Sequence, residues 1–66
     1  MEKFVSIIIP VKNMERTIEK TFQYLNKIDY PRNKLEIIFA DGGSKDKTVS
    51  IIKNYQEERN YIKLIE

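Results

Sequence analysis

The sequence predicts an α/β fold, a three-stranded parallel sheet in the order 3-2-1 with two helices, and three observations carry that prediction. Short β-branched or apolar runs appear at residues 4–9, 35–40 and 61–65, each the length of one strand. Between them lie two stretches whose apolar residues recur three and four positions apart, the spacing of a helix face. The connections are short, and strands alternating with helices in this way build parallel sheets through right-handed crossovers.

The first run, Phe4-Val5-Ser6-Ile7-Ile8-Ile9, is apolar at nearly every position, as a strand covered on both faces would be, and Pro10 is expected to end it. From Met14 the apolar positions Ile18, Phe22, Leu25 and Ile28, with Thr21, fall on one side. Glu15, Arg16, Glu19, Lys20, Gln23 and Lys27 fall on the other. This predicts an amphipathic helix with Asn13 as its N-cap. Asp29-Tyr30-Pro31 stops it, because proline lacks the N–H a helix needs and disfavours helical geometry in the residue before it. Leu35-Glu36-Ile37-Ile38-Phe39-Ala40 reads as the second strand. Val49, Ile52, Ile51 and Tyr55 make a second helical stripe ending between residues 57 and 60, with Asp46 placed to cap its first turn. Tyr61-Ile62-Lys63-Leu64-Ile65 closes the pattern as a third strand.

Composition bounds what such a fold can do. A chain of 66 residues is at most one small domain and buries only about 60% of its unfolded surface, so its stability is thin. Cysteine and histidine are both absent, which removes disulfides and a zinc site as sources of support. A net charge of +2, with twelve basic residues interleaved among ten acids, gives no basic tract for nucleic acid. Apolar runs of three or four residues are too short for a membrane-spanning helix or a signal-peptide core, and a cytoplasmic location is the expectation.

The topology itself has a consequence. If both crossovers step the same way across the sheet, both helices lie on one face and the other is bare. Parallel sheets are found almost only with both faces covered. Exposure of Val5, Ile7, Ile9 or their second-strand neighbours is therefore expected to form an apolar interface, filled by further chain or by a second copy in a homo-oligomer.

Ligands of open parallel sheets bind at the carboxyl ends of the strands. Two loops meet there, PVKNME after the first strand and DGGSKDKT after the second. Asp41 is an acceptor-only side chain able to take a hydrogen bond from a base or a ribose hydroxyl. Gly42 and Gly43 allow positive φ or close ligand approach, while Lys12, Lys45, Lys47 and the N–H groups of the following helix suit an anion. Asp-Gly-Gly-Ser is equally ordinary turn chemistry, and an asparagine that opens a helix needs no ligand to explain it. A dinucleotide-dependent oxidoreductase is disfavoured, because PVKNME lacks the G-x-G-x-x-G that close pyrophosphate approach demands.

VSIIIPVKNMERTIEKTFQYL followed by YPRNKLEIIFADGGSKDKT resembles the N-terminal half of the family 2 glycosyltransferases, which typically read VSIIIPVYNEE and then EIIVVDDGSTDGT. The resemblance spans nearly the whole chain, including the Tyr-Pro pair after the first helix. It implies half of a Rossmann-like GT-A domain, with residues 1–66 as its incomplete donor-nucleotide-binding part. It further implies that Asp41 contacts the uracil or guanine of a UDP- or GDP-type nucleotide sugar, that Pro10 and Val11 line the base pocket, and that Asn13, Gly42, Gly43 and Ser44 belong to the same site. The family's frequent tyrosine after Pro-Val is Lys12 here, so its stacking on the base is not expected; its first glutamate is Met14, and its usual second Asp is Gly42.

The family's Asp-X-Asp metal motif and its acidic general base would both lie beyond Glu66. The chain alone is thus expected to be inactive, with no cofactor of its own, although the resemblance implies Mg or Mn for the full-length family. Inverting transfer needs both a base on the acceptor hydroxyl and a cation on the leaving diphosphate. Glu15, Glu19 and Glu36 read as solvated and do not supply them. The function expected is binding of the donor nucleotide as the front of an enzyme that transfers a sugar to a hydroxyl or a lipid phosphate, located in the cytoplasm or at the cytoplasmic membrane surface. The alternative is a non-catalytic module that binds a nucleotide or self-associates.

Overall fold

The computed structural model describes residues 3–66. Strand β1 (Val5–Val11) leads to helix α1 (Ile18–Asn26), a 3₁₀ turn (Arg32–Lys34), strand β2 (Leu35–Asp41), helix α2 (Thr48–Gln56) and strand β3 (Ile62–Ile65). The three strands are parallel, with β2 in the centre, which is the 3-2-1 order the sequence predicts. Val5 pairs with Leu35 and the register runs unbroken to Val11 opposite Asp41.

A strand turns successive side chains to opposite faces, so parity decides burial. The odd positions Val11, Leu35, Ile37 and Phe39, together with Ile62 of β3, join Ile18, Phe22 and Leu25 of α1 and Ile52 of α2 in one core. Within it Phe22 lies edge-on to Phe39 at 5.9 Å between ring centroids and stacks on Tyr55 at 3.9 Å. Both helices thus cover one face of the sheet. The other carries Ser6, Ile8, Pro10, Glu36, Ile38, Ala40, Lys63 and Ile65, and there Ile8 is 65% and Ile65 57% exposed. This corrects the expected membership of the bare face: Ile7 and Ile9 pack against the core, Val5 is 36% exposed, and even-numbered Ile8 is the isoleucine of the strand presented to solvent. A run apolar at every position does not say which parity the helices will cover.

Two element boundaries also differ from expectation. Pro10 lies inside β1 rather than ending it. The Val11 carbonyl accepts the Gly42 N–H, so Val11 faces β2 and the nitrogen of Pro10 faces the free edge, where a missing N–H breaks no ladder bond. Helix α1 begins at Ile18, with Thr17 at its N-cap position, and not at Met14. Asn13 does not cap it: the residue sits at φ 50° in the left-handed region and both its backbone N–H and its side chain reach across to the loop after β2.

Candidate functional site

The end of the sheet is built by β2 running one residue further than its apolar stretch, which brings Asp41 into register with Val11. The loops that follow β1 and β2 are then tied together directly. The Asn13 N–H donates to the Ser44 hydroxyl at 2.8 Å, and the Asn13 side-chain oxygen accepts the Lys45 N–H at 2.8 Å. One step further, the Glu15 N–H donates to Asp46 Oδ2 at 3.1 Å while Glu15 Oε1 accepts the Lys47 N–H at 3.0 Å. Between these two reciprocal pairs, the Met14 N–H donates to the buried Thr48 hydroxyl at 2.8 Å.

Asp41 is half-buried at this rim and its carboxylate is already partly engaged. Its Oδ2 accepts the Gly43 and Ser44 N–H groups, both at 3.0 Å, and its Oδ1 accepts the Ser44 hydroxyl at 2.5 Å. These bonds stabilise the charged form: the Ser44 hydroxyl first, then the Ser44 N–H and, less, the Gly43 N–H, hold the carboxyl below its ordinary value of 3.8 against the opposing effect of burial. A carboxylate offers about four acceptor positions, so three donors leave one, on Oδ1. Turn chemistry and ligand recognition are therefore not exclusive readings of this residue.

The two glycines differ. Gly43 has φ +92°, a conformation that disfavours every L side chain. Gly42 has ordinary backbone, and a Cβ there would stand 3.6 Å from the Val11 carbonyl oxygen and 3.8 Å from Lys12 Cβ and Cδ, which is normal contact. Lys12 therefore lays its stem over Gly42. The ion pair found among the described residues joins Lys53 to Glu66, at 3.5 Å, and leaves Lys12, Lys45 and Lys47 without a carboxylate partner at the rim. Pro10, like Lys12 and Asn13, is exposed there, and Val11 is buried beneath them.

Sequence reasoning missed two members of this network, Glu15 and Thr48. Glu15 is exposed but lies ahead of α1 and accepts a backbone N–H across the loops; away from the rim, half-buried Glu36 accepts the Ser6 hydroxyl at 2.7 Å. Thr48 was the signal left unread, although an Asp-x-Thr spacing is a turn signature in its own right. Asp46 Oδ1 accepts the Thr48 N–H at 3.0 Å and the Thr48 hydroxyl at 2.5 Å, and with the Glu15 N–H these bonds hold its carboxyl below 3.8, the Thr48 hydroxyl contributing most. A surface hollow beside the rim is lined by Asn13, Glu15, Arg16, Thr17 and Asp46.

These acids do not make a cation site. No group of three or more His, Cys, Asp or Glu side chains converges among the described residues. The oxygens of Asp41 and Asp46 face N–H and O–H donors of the two loops, which is the wrong environment for a divalent ion. No helix among the described residues is long and apolar enough to cross a membrane.

Residues 6–66 match the family model described as Glycosyl transferase family 2. A dolichyl N-acetyl-alpha-D-glucosaminyl phosphate 3-beta-D-2,3-diacetamido-2,3-dideoxy-beta-D-glucuronosyltransferase of Methanococcus voltae is 43% identical over 58 residues, covering 88% of this chain and 18% of its own length. Among solved structures, mannosyltransferase PcManGT from Pyrobaculum calidifontis, in complex with GDP-Man and Mn2+, superimposes with a TM-score of 0.88 at 31% identity, over 100% of this chain and 20% of that one. S. aureus TarS 1-349 in complex with UDP-GlcNAc gives a TM-score of 0.79 at 33% identity, over 96% of this chain and 18% of that one. The chain thus spans about a fifth of the length of the proteins it matches.

Proposed function

The chain belongs to glycosyl transferase family 2, and from that membership we propose that residues 1–66 form the part of a sugar-transferring enzyme that holds the nucleotide of its donor. The observation that carries the proposal is the placement of Asp41: it ends β2 beside the tip of β1, at the rim where parallel sheets bind ligands, with one acceptor position left on Oδ1. In this reading Asp41 accepts an N–H of the base. Pro10 and Val11 form the pocket floor, and Lys12, lying over Gly42, brings charge towards the diphosphate. Asn13, Gly43 and Ser44 hold the loops in the shape that makes this arrangement. The neighbours that hold GDP-Man and UDP-GlcNAc support a nucleotide-sugar ligand.

In this reading residues 1–66 hold the donor, and the metal, the general base and the acceptor, a hydroxyl or a lipid-linked phosphate, are met elsewhere in the enzyme. The exposed apolar face around Ile8 favours a second property, self-association of this chain when nothing else covers it.

Titration with UDP- and GDP-sugars, followed through backbone amide signals, tests the proposal. Shifts are expected around Lys12 and Asp41, and Asp41→Ala is expected to abolish them. Shifts confined to α2 would overturn it.

A further inference from the structure

We infer that the outward ridge of α1, built from Arg16, Lys20, Gln23, Tyr24 and Lys27, is a docking surface for an anionic phospholipid bilayer. The inference stands apart from the nucleotide-binding reading and uses none of the residues that reading uses.

Residues 16, 20, 23 and 27 are spaced by four, three and four, which is one face of a helix, and they lie opposite the buried stripe of Ile18, Phe22 and Leu25. The line extends past the start of α1, because the Ile18 N–H donates to the Met14 carbonyl at 2.8 Å and makes the preceding turn helical. Arg16, Lys20 and Lys27 thus form a row about 16 Å long, at a rise of 1.5 Å per residue. All three are exposed, and Gln23 between them is neutral. The acids of this segment stand off the row: Glu15 is engaged by the Lys47 N–H, and Glu19 falls on the flank of the helix. The ion pair among the described residues joins Lys53 to Glu66, so no carboxylate neutralises the row. Helix α2 offers the contrast, since its exposed Lys53 is followed by exposed Glu57 and Glu58 and its surface has no single sign. Tyr24 is 74% exposed and, with Lys20, Gln23 and Lys27, lines a surface hollow on the ridge.

An exposed aromatic ring set between two lysines fits a membrane–water boundary. The ring enters the headgroup layer, the lysine stems lie along the apolar boundary, and the ammonium groups stay with the lipid phosphates. Each cation held near an anionic leaflet strengthens association roughly fivefold, and three together roughly a hundredfold. A nucleic-acid duplex fits less well, since three cations release few counterions and stacked bases offer no partner to Tyr24. Arg16 is the end of the row nearest the rim, where it lines the hollow shared with Asn13 and Asp46. A domain docked along this ridge therefore holds its rim beside the bilayer surface.

Co-sedimentation of the chain with vesicles of phosphatidylcholine, alone and with phosphatidylserine added, tests the inference. Wild type is expected to favour the anionic vesicles roughly a hundredfold and to lose most of that preference in high salt. Lys20→Gln combined with Lys27→Gln should weaken binding roughly 25-fold, while the charge-matched pair Lys34→Gln with Lys53→Gln should leave it within about twofold. The chain has no tryptophan, so Tyr24→Trp places a single reporter on the ridge. Its emission should move to the blue on anionic vesicles, whereas that of Asn54→Trp on α2 should not. Equal binding to the two kinds of vesicle would overturn the inference, as would equal losses in the two double variants or a blue shift on α2 alone. Loss of binding in Ile8→Ser would assign the vesicles to the bare sheet face, and binding of a DNA duplex as tight as that of anionic vesicles would assign the ridge to nucleic acid; either result overturns it. If the Lys20 and Lys27 double variant does not fold, the salt dependence of wild type and the emission of Tyr24→Trp still decide. Failure of the chain to bind a nucleotide leaves this inference standing.

Discussion

Gly43 holds φ at +92° with no atom within 4 Å of where a Cβ would stand, whereas Gly42 has ordinary backbone and room for one. The cost of a side chain at Gly43 is therefore purely conformational. Gly43→Ala is expected to destabilise by about 1–2 kcal/mol, and Gly42→Ala to be neutral or stabilising by up to about 1 kcal/mol, in urea unfolding. At the same scale, Asp41 and Asp46 titrate below their ordinary 3.8 in the folded chain. A depressed folded value gives stability that is complete above the unfolded value and is lost as pH falls through the folded one. The urea midpoint should hold from neutral pH down towards 3.8 and drop below it, and Asp41→Asn should make that drop shallower.

Helix α1 has no basic residue in its last turn, and a guanidinium from outside it holds the segment that follows. The Arg32 guanidinium, on the 3₁₀ turn, donates to the Ile28 and Tyr30 carbonyls at 2.9 Å each and reaches Leu25 O at 3.5 Å, with Tyr61 beneath it at 5.4 Å. One side chain thus fixes the end of α1, the Tyr-Pro corner and the start of β3. A lysine keeps the charge but not the planar fork, so Arg32→Lys should cost about 1–2 kcal/mol, with Arg32→Ala at least as damaging, measured by thermal unfolding. The start of β2 at Leu35 falls where sequence patterning places it, whereas α1 ends at Asn26, ahead of the Asp29-Tyr30-Pro31 stop. The boundaries that patterning misplaced at the start of α1 and the end of β1 were decided by partners more than twenty residues away: Asn13 and Met14 are bonded to Ser44 and Thr48, and the Val11 carbonyl to Gly42.

For the whole molecule, the decisive asymmetry is a sheet covered on one side. Ile8 at 65% and Ile65 at 57% exposure lie on the uncovered face with Pro10, Ile38 and Ala40. The isolated chain is expected to bind a hydrophobic dye, and Ile8→Ser to reduce that binding without unfolding the sheet, because the substitution falls on the bare side and not in the core. Light scattering over a concentration series should show association in the wild type that weakens in the variant. A monomer at all concentrations with no dye bound would mean the face is not available.

The strand-helix alternation, the parallel order and the place of Asp41 after the second apolar run were legible in the sequence, because periodicity, proline and glycine act within a few residues. The resemblance of the two loops to a known family pointed to the same rim. Three things were settled only by tertiary structure: which parity of each strand is buried, that Glu15, Asp46 and Thr48 join the loops, and that Asp41 keeps one acceptor position. Burial side is set by where the helices pack, and a hydrogen bond between residues some thirty positions apart leaves no periodic trace in the chain.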